Sequence, residues 1–177
     1  MAPARFLIRD AVESDLPRIL TIFNEAIRTS TAVWHLEETT LEARQAWLRE
    51  RRGRGLPVLV AELEGSAQGF ASYGDFRPFA GYALTVEHSI YVDQALRGRG
   101  LGQGLLEALQ DRAVAAGMHV MLAGIEASNV ASAALHRKAG FEEAGQLRQV
   151  GRKFGRWLDL LFMQKILAAS GGHPPAG

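Results

Sequence analysis

Hydrophobic and polar positions follow two different periods along this chain. In four segments the apolar residues recur every three or four positions, a spacing typical of an amphipathic helix with one buried face. Shorter segments rich in β-branched and aromatic residues, bounded by glycine and turn residues, predict strands. The two kinds of segment alternate along the chain. The pattern therefore predicts a single α/β domain with a mixed sheet.

The boundaries of these elements can be predicted from capping and turn residues. The first helix is expected to begin at Ser14-Asp15-Leu16-Pro17, with a capping side chain and a proline in its first turn. Further helices are predicted over 40–53, 101–116 and 130–139, and strands over 5–9, 58–62, 68–74, 85–92, 119–125, 142–150 and 157–165. The domain is expected to span 1–167. The small residues, glycines and prolines of 168–177 predict a disordered tail.

Composition limits the classes of function. The chain has 177 residues, 47% of them hydrophobic, and a net charge of only +1, so neither a nucleic acid nor a membrane is expected as a partner. It has no cysteine, which excludes disulfides, thiolate metal sites and a cysteine nucleophile. The histidines lack metal-ligand spacing, so no metal is expected. No apolar run approaches the ~18 residues of a membrane span. The N-terminus lacks a signal-peptide core, and a cytoplasmic location is predicted.

The chemistry is most evident in the run Leu96-Arg97-Gly98-Arg99-Gly100-Leu101-Gly102, between a predicted strand and a predicted helix. A glycine-rich loop that leads into a helix presents unpaired N–H groups and the positive end of the helix dipole, which favour a phosphate. The spacing lacks the third glycine of a dinucleotide fingerprint and the Gly-Lys-Ser/Thr of a P-loop. An ordinary glycine-rich turn is the alternative reading.

A second segment, Asn129-Val130-Ala131-Ser132-Ala133-Ala134-Leu135-His136-Arg137-Lys138-Ala139-Gly140-Phe141, follows about thirty residues later, after another predicted strand. Together with Arg97-x-x-Gly100-x-Gly102, it resembles the GNAT acyltransferases. In that superfamily the glycine loop binds the pyrophosphate of acetyl-CoA. The resemblance implies a single GNAT-like α/β domain with a mixed six- to seven-stranded sheet flanked by helices. It also implies acetyl-CoA as the co-substrate.

Three further blocks, at 24–34, 86–92 and 151–159, look like those of the phosphinothricin and methionine-sulfoximine N-acetyltransferases. This similarity covers about residues 6 to 166. It implies a homodimer that acetylates the α-amine of a small glutamate- or methionine-like amino acid, such as methionine sulfoximine, methionine sulfone or phosphinothricin, and so a role in detoxification. Two alternatives stay open: an acetyltransferase that modifies protein N-termini or lysines, and a non-catalytic acyl-CoA-binding module.

Two residues are predicted to carry the chemistry. An amine must lose a proton before it attacks a thioester, and a carboxylate whose pKa is raised by burial can accept that proton. Glu87 lies on the strand leading to the glycine loop and matches the glutamate of the family; a solvent-facing carboxylate is the alternative. His136 stands where many GNAT members carry a tyrosine that protonates the departing thiolate. A packed helix histidine that does not titrate is the alternative for His136.

Binding residues follow from the loop, the helix and the resemblance. A backbone N–H near Tyr91 or Val92 is expected to stabilise the oxyanion. Asn129 is expected to cap its helix, and the resemblance implies that it also bonds to the pantetheine or a nearby backbone group; a plain helix N-cap is the alternative. The predicted acetyl-CoA contacts are Ile90, Tyr91, Val92, Arg97, Gly98, Arg99, Gly100, Leu101, Gly102, Gln103, Asn129, Ser132 and Lys138. The predicted substrate contacts are Trp34, Asp75, Phe76, Arg77, Thr85, Val86 and Glu87.

Two groups of arginines are interpreted differently. Arg77 follows a strand end and is expected to grip the substrate carboxylate, with a solvated loop arginine as the alternative. Arg49, Arg51, Arg52 and Arg54 lie at the predicted C-terminus of a helix, where positive charge suits the dipole. We interpret that cluster as a solvated face rather than a second anion site.

Overall fold

The structure is a computed structural model that describes residues 6–167. Within this range one seven-stranded sheet has the order β1-β2-β3-β4-β5-β7-β6. The strands are β1 (Leu7–Asp10), β2 (Val58–Leu63), β3 (Ser66–Asp75), β4 (Thr85–Val92), β5 (Val120–Glu126), β6 (Glu142–Lys153) and β7 (Arg156–Ile166). Strands β4 and β5 run parallel, whereas every other pair is antiparallel. The prediction of a mixed six- to seven-stranded sheet is confirmed.

Four helices cover the two faces of this sheet. They are α1 (Leu16–Thr29), α2 (Leu41–Gly53), α3 (Leu101–Ala115) and α4 (Val130–Lys138). Because successive strand residues point to opposite faces, Val58 and Val60 pack with α1 and α2, whereas Leu59 and Ala61 pack with α3. The same alternation puts the side chains of neighbouring β4 residues on different faces. No helix within residues 6–167 is long and apolar enough to cross a membrane.

The start of the first helix differs from the prediction. Residues 13–15 form a short 3-10 turn, and the Asp15 side chain makes no capping bond to α1. Its carboxylate instead accepts hydrogen bonds from the Val12 backbone N–H (2.8 Å) and from the Arg9 guanidinium (2.7 and 2.9 Å). Asp15 is almost fully buried, so its charge needs that guanidinium. The helix begins within the predicted segment and has Pro17 in its first turn, but the predicted side-chain cap is absent at its N-cap residue, Asp15.

The other boundaries agree closely with the prediction. Strand β4 has the predicted bounds, and α2 begins after Thr40, whose hydroxyl accepts a bond from the Ala43 N–H (3.2 Å). The predicted tail at 168–177 and residue 5 of the first predicted strand lie outside the described residues.

Strands β4 and β5 separate part-way along their length. Their parallel pairing joins Thr85–His88 to Val120–Ala123 and then ends. Beyond that point β4 pairs with β3 alone, as far as Val92, and β5 pairs with β7 alone. A gap therefore opens between the two central strands, and β4 runs along it toward the glycine loop and α3. Backbone groups of β4 that face this gap have no strand partner there, which matches the expected position of an extended ligand.

Candidate active site

The glycine loop has the backbone shape that an anion site needs. Gly98 and Gly100 adopt left-handed conformations with φ of +76° and +89°, which side chains other than glycine rarely tolerate. Gly100 is the N-cap of α3, and no side chain caps the helix there. The first N–H groups of α3 therefore have no side-chain cap, and the exposed Arg97 and Arg99 precede them in the chain. This cradle fits the pyrophosphate of acetyl-CoA.

The other predicted acetyl-CoA contacts are distributed around the gap and α4. Ile90, Tyr91 and Val92 lie on β4 beyond the end of its pairing with β5. The Tyr91 ring packs against Phe23 and Phe70, with centroids 5.2 and 5.1 Å away, and its backbone carbonyl faces Gly69 of β3. Because backbone groups alternate in direction along a strand, those of Ile90 and Val92 are the ones that face the gap.

Asn129 has the capping role that its position predicts. Its side-chain oxygen accepts a hydrogen bond from the Ser132 N–H at 3.1 Å, while its amide NH₂ makes no hydrogen bond to the residues from 6 to 167. The amide therefore has donors to spare for a ligand. Lys138 is exposed in the last turn of α4, at the opposite end of that helix from Asn129.

Glu87 lies at the point where β4 and β5 separate. It is half-buried, and its carboxylate leans toward β5: Oε1 lies 2.8 Å from the position that a Cβ on Gly124 would occupy. Burial raises the pKa of Glu87 above its ordinary value, and the positive charge of Arg77 opposes that rise. The carboxylate is thus better suited to accept a proton than a solvated one.

A cavity of about 290 Å³ adjoins Glu87 on the face covered by α2. Its lining includes Trp47 and Arg51 from α2, Ser72 and Gly74 from β3, and Glu87 and Ser89 from β4. A larger cavity of about 560 Å³ lies among β1 and the C-terminal ends of α2 and α3, and it holds none of the predicted site residues. The smaller cavity is the candidate acceptor pocket because Glu87, the predicted base, lines it.

Several predicted substrate residues lie outside this cavity. The Trp34 indole N–H donates to the Thr31 carbonyl at 2.9 Å, and its ring lies against Gly151 of β6. Val86 is buried in the core on the α3 face, opposite the face of Glu87. Of the predicted 75–77 loop, Asp75 lines the cavity, while Phe76 and Arg77 do not.

The loop holding Phe76 and Arg77 nevertheless lies near enough to Glu87 for the charge of Arg77 to act on it. Phe76 packs edge-on against Tyr82 and Phe162, with centroids 5.5 and 6.1 Å away. The exposed Arg77 guanidinium lies 4.8 Å from the Phe76 ring centroid, and its charge acts on Glu87. A direct role of Arg77 in carboxylate binding stays a prediction.

The arginine cluster at the end of α2 does not behave as a single solvated face. Arg49 is exposed, and Arg54 bonds to the carboxylates of Glu50 and Asp75. Arg51, by contrast, is only 23% exposed and donates from Nη1 to the Tyr73 carbonyl at 2.6 Å. The solvated interpretation is therefore wrong for Arg51. The missed signal is helical spacing, because Arg51 follows the buried Leu48 by three positions.

His136 forms a buried pair with His88, a residue to which the sequence assigned no function. His136 Nδ1 lies 2.7 Å from the Ser132 carbonyl oxygen, and the Nε2 atoms of the two histidines lie 3.2 Å apart. A carbonyl only accepts, so His136 carries its proton on Nδ1, and His88 donates its Nε2 proton to His136. The buried His88 Nδ1 is then left without a hydrogen-bond partner in residues 6–167.

Both histidines are neutral at physiological pH. Burial, together with the neighbouring ring, lowers the pKa of His88 to about 3, and burial also lowers the pKa of His136. Both nitrogens of His136 are engaged within the protein, which agrees with the packed-histidine alternative. A role for His136 as the acid stays a prediction.

Known proteins match this sequence and this fold. The model of the acetyltransferase (GNAT) family matches residues 19–141, well over half of the chain. The chain belongs to that family. This acetyltransferase is 56% identical over 168 residues to a Pseudomonas aeruginosa protein named L-methionine sulfoximine/L-methionine sulfone acetyltransferase, and the match covers 94% of this chain and 98% of the relative.

Solved structures agree with the fold of this acetyltransferase. The yncA protein of Salmonella typhimurium, an acetyltransferase solved with its cofactor acetyl-CoA, has a TM-score of 0.93 at 46% identity and covers 97% of this chain and 99% of its own. A ribosomal-protein-alanine N-acetyltransferase from Brucella melitensis has a TM-score of 0.90 at 55% identity, over 91% and 99%. More distant relatives include a phosphinothricin N-acetyltransferase of Alcaligenes faecalis, 37% identical over 92% of this chain and 83% of that protein.

These matches confirm the family, the fold and the enzyme class that the sequence predicts. No group of three or more metal-ligating side chains occurs among residues 6–167. The cytoplasmic location and the exclusion of nucleic-acid and membrane partners stay predictions.

Proposed function

We propose that this enzyme transfers the acetyl group of acetyl-CoA to the α-amine of a small methionine- or glutamate-like amino acid, with methionine sulfoximine, methionine sulfone and phosphinothricin as the acceptors. The observation that carries the proposal is the position of Glu87. Its half-buried carboxylate lies where β4 and β5 separate, beside a cavity of about 290 Å³ and on the strand that leads to the glycine loop. The names of the relatives support the same class of acceptor.

In the proposed reaction each group has one task. Glu87 accepts a proton from the acceptor's ammonium, which gives the nitrogen the lone pair it needs to attack the thioester carbonyl. Unpaired backbone N–H groups near Tyr91 and Val92 stabilise the oxyanion that develops. The N–H groups at the start of α3, with Arg97 and Arg99, hold the pyrophosphate. Acetyl moves directly from sulfur to nitrogen, so no covalent acyl-enzyme is required.

The departing thiolate takes a proton from His136 or from water. Both ring nitrogens of His136 already make hydrogen bonds, to Ser132 and to His88. This engagement favours water as the acid. A His136→Phe variant that keeps most of the wild-type kcat supports water, and a fall of 100-fold or more supports the histidine.

The proposed activity is tested with purified protein, acetyl-CoA and a panel of amines, while a chromogenic disulfide follows the release of free thiol. The panel contains methionine sulfoximine, methionine sulfone, phosphinothricin, the common amino acids, polyamines and an alanine-terminated peptide. We expect turnover only with the methionine- and glutamate-like compounds. Turnover of the peptide alone would overturn the proposal in favour of a protein acetyltransferase, the activity named for the Brucella relative. Acetyl-CoA binding without any turnover would indicate a binding module.

We also propose that the enzyme is a homodimer built on the β6–β7 hairpin. Strand β6 is an edge of the sheet, and all of residues 142–150 are exposed. Large apolar side chains on the hairpin are exposed as well, among them Leu147, Val150 and Trp157. Long edge strands with such residues invite pairing with a second chain. Light scattering should give twice the 19.3 kDa chain mass, and a monomer would contradict the proposal.

A further inference from the structure

Arg51 shares the candidate acceptor pocket with Glu87. It extends from the last turns of α2 toward the sheet, and its side chain is only 23% exposed. Arg51 and Glu87 both line the cavity of about 290 Å³. The pocket thus contains one cationic side chain, Arg51, and two carboxylates, Glu87 and Asp75. Arg51 forms an ion pair with neither of them, and Asp75 pairs with Arg54.

The Arg51 guanidinium is held in place, but only part of its N–H donors make hydrogen bonds. Nη1 donates to the Tyr73 carbonyl at 2.6 Å, and the group lies so closely over Gly74 that any Cβ at that position would collide with it. This is the only hydrogen bond of the guanidinium to residues 6–167. Nε is buried without an aligned acceptor, although a Glu50 oxygen lies 3.4 Å away. Further N–H donors therefore remain for a ligand.

Gly74 shows that Arg51 and Glu87 lie near each other, because it contacts the Arg51 guanidinium and pairs with Glu87. Gly74 on β3 pairs directly with Glu87 on β4, so the two residues share one face of the sheet. Side chains at such paired positions start only about 4.5–5.5 Å apart. Glu87 leans away from β3, toward Gly124, which leaves the cavity between the two charged groups. An α-amino acid carries its amine and its carboxylate on one carbon. It could therefore place the amine beside Glu87 and the carboxylate beside Arg51.

We propose that Arg51 binds the carboxylate of the acceptor amino acid and thereby directs its α-amine to Glu87. A guanidinium presents paired N–H donors that match the two oxygens of a carboxylate. The inference rests on the proposed function, which supplies an amino acid as the acceptor. It assigns to Arg51 the task that the sequence suggested for Arg77, which lies outside the cavity and stacks on Phe76.

The charges around Arg51 agree with this assignment. Burial lowers the pKa of Arg51, although an arginine stays charged. Glu50 and Asp75 attract it and Arg54 repels it, but both of these carboxylates already bond to Arg54. The Glu50 oxygen reaches only the Nε side of Arg51, so an incoming carboxylate would supply an aligned hydrogen-bond acceptor to the remaining guanidinium N–H groups.

The test compares Arg51→Gln with wild type on two acceptors, methionine sulfone and its carboxamide, which keeps the amine but lacks the negative charge. We expect Arg51→Gln to lower kcat/KM for methionine sulfone by about 10- to 100-fold and to change kcat/KM for the carboxamide less than about threefold. The KM for acetyl-CoA should stay unchanged. The amine of the carboxamide differs in basicity from that of methionine sulfone, but this difference is the same for both enzymes. The ratio of the two kcat/KM values in Arg51→Gln, divided by the same ratio in wild type, therefore does not contain it.

Two further variants complete the experiment. Arg49→Gln removes an exposed positive charge from the same helix and should leave both acceptors unaffected. Arg51→Lys keeps the charge without the paired donors and should retain part of the preference for the carboxylate, which also covers the case that Arg51→Gln misfolds.

The outcomes separate this inference from the proposed function. An equal loss for both acceptors in Arg51→Gln would reveal a structural role and overturn the inference. An unchanged preference for the carboxylate, or one abolished only by Arg77→Gln, would overturn it as well. If the wild type acetylates no amino acid at all, the proposed function itself fails, and the carboxylate site fails with it.

Discussion

Replacing Glu87 with glutamine is expected to lower kcat by about 100- to 10,000-fold while acetyl-CoA binding stays within about threefold of wild type. Glutamine has the size of glutamate but cannot accept the proton of the ammonium. Acetyl-CoA is expected to bind through the glycine loop and the β4 backbone, which the substitution does not touch. Steady-state thiol release measures the loss of turnover, and isothermal titration calorimetry measures acetyl-CoA binding.

A control variant and a pH profile sharpen this result. Glu37→Gln removes an exposed carboxylate and should leave kcat unchanged. In the wild type, kcat/KM for the amine should fall as the pH drops through the pKa of Glu87, which burial places above its ordinary value. Arg77→Ala removes the charge that opposes this rise, so the acid limb should move to higher pH. If Glu87→Gln turns over at the wild-type rate, Glu87 is not the base.

Lowering the pH from 7 to 5 is expected to cost the wild type about 2 kcal/mol more of its free energy of unfolding than it costs His88→Asn. Folded His88 stays neutral because its pKa is about 3, whereas in the unfolded chain its pKa is the ordinary 6.5. Between these values the unfolded state binds more protons. The stability is fully present above pH 6.5 and is lost as the pH falls toward 3.

Urea unfolding at pH 5, 6, 7 and 8 measures this difference, and the slope with pH is compared rather than the absolute stability. His119→Asn, at an exposed position, is the matched control and should keep the wild-type pH dependence. His88→Asn keeps a side-chain donor for His136, so the pair loses its titrating member without losing every hydrogen bond. The same slope in His88→Asn as in wild type would contradict a buried, neutral His88.

Local signals were sufficient for most of the fold. The bounds of β4, the start of α2 at Thr40 and the glycine loop each depend on residues within a few positions of one another. Backbone dihedral preferences, capping and the period of the apolar pattern act over that range, so they can be inferred from neighbouring residues. The left-handed backbone at Gly98 and Gly100, which shapes the predicted anion site, also follows from the local sequence.

The acceptor site depends on contacts between distant parts of the chain. Arg51 and Glu87 share a cavity because β3 pairs with β4 and α2 crosses that face. His88 and His136 meet across 48 positions, and Trp34 packs on Gly151. Helical spacing could have shown that Arg51 lies on the side of α2 that carries Leu48, but no local pattern indicates that it meets Glu87 in a cavity, or which histidine another will face. Burial and pairing are properties of the folded sheet, and they decide the charge and the orientation of each of these groups.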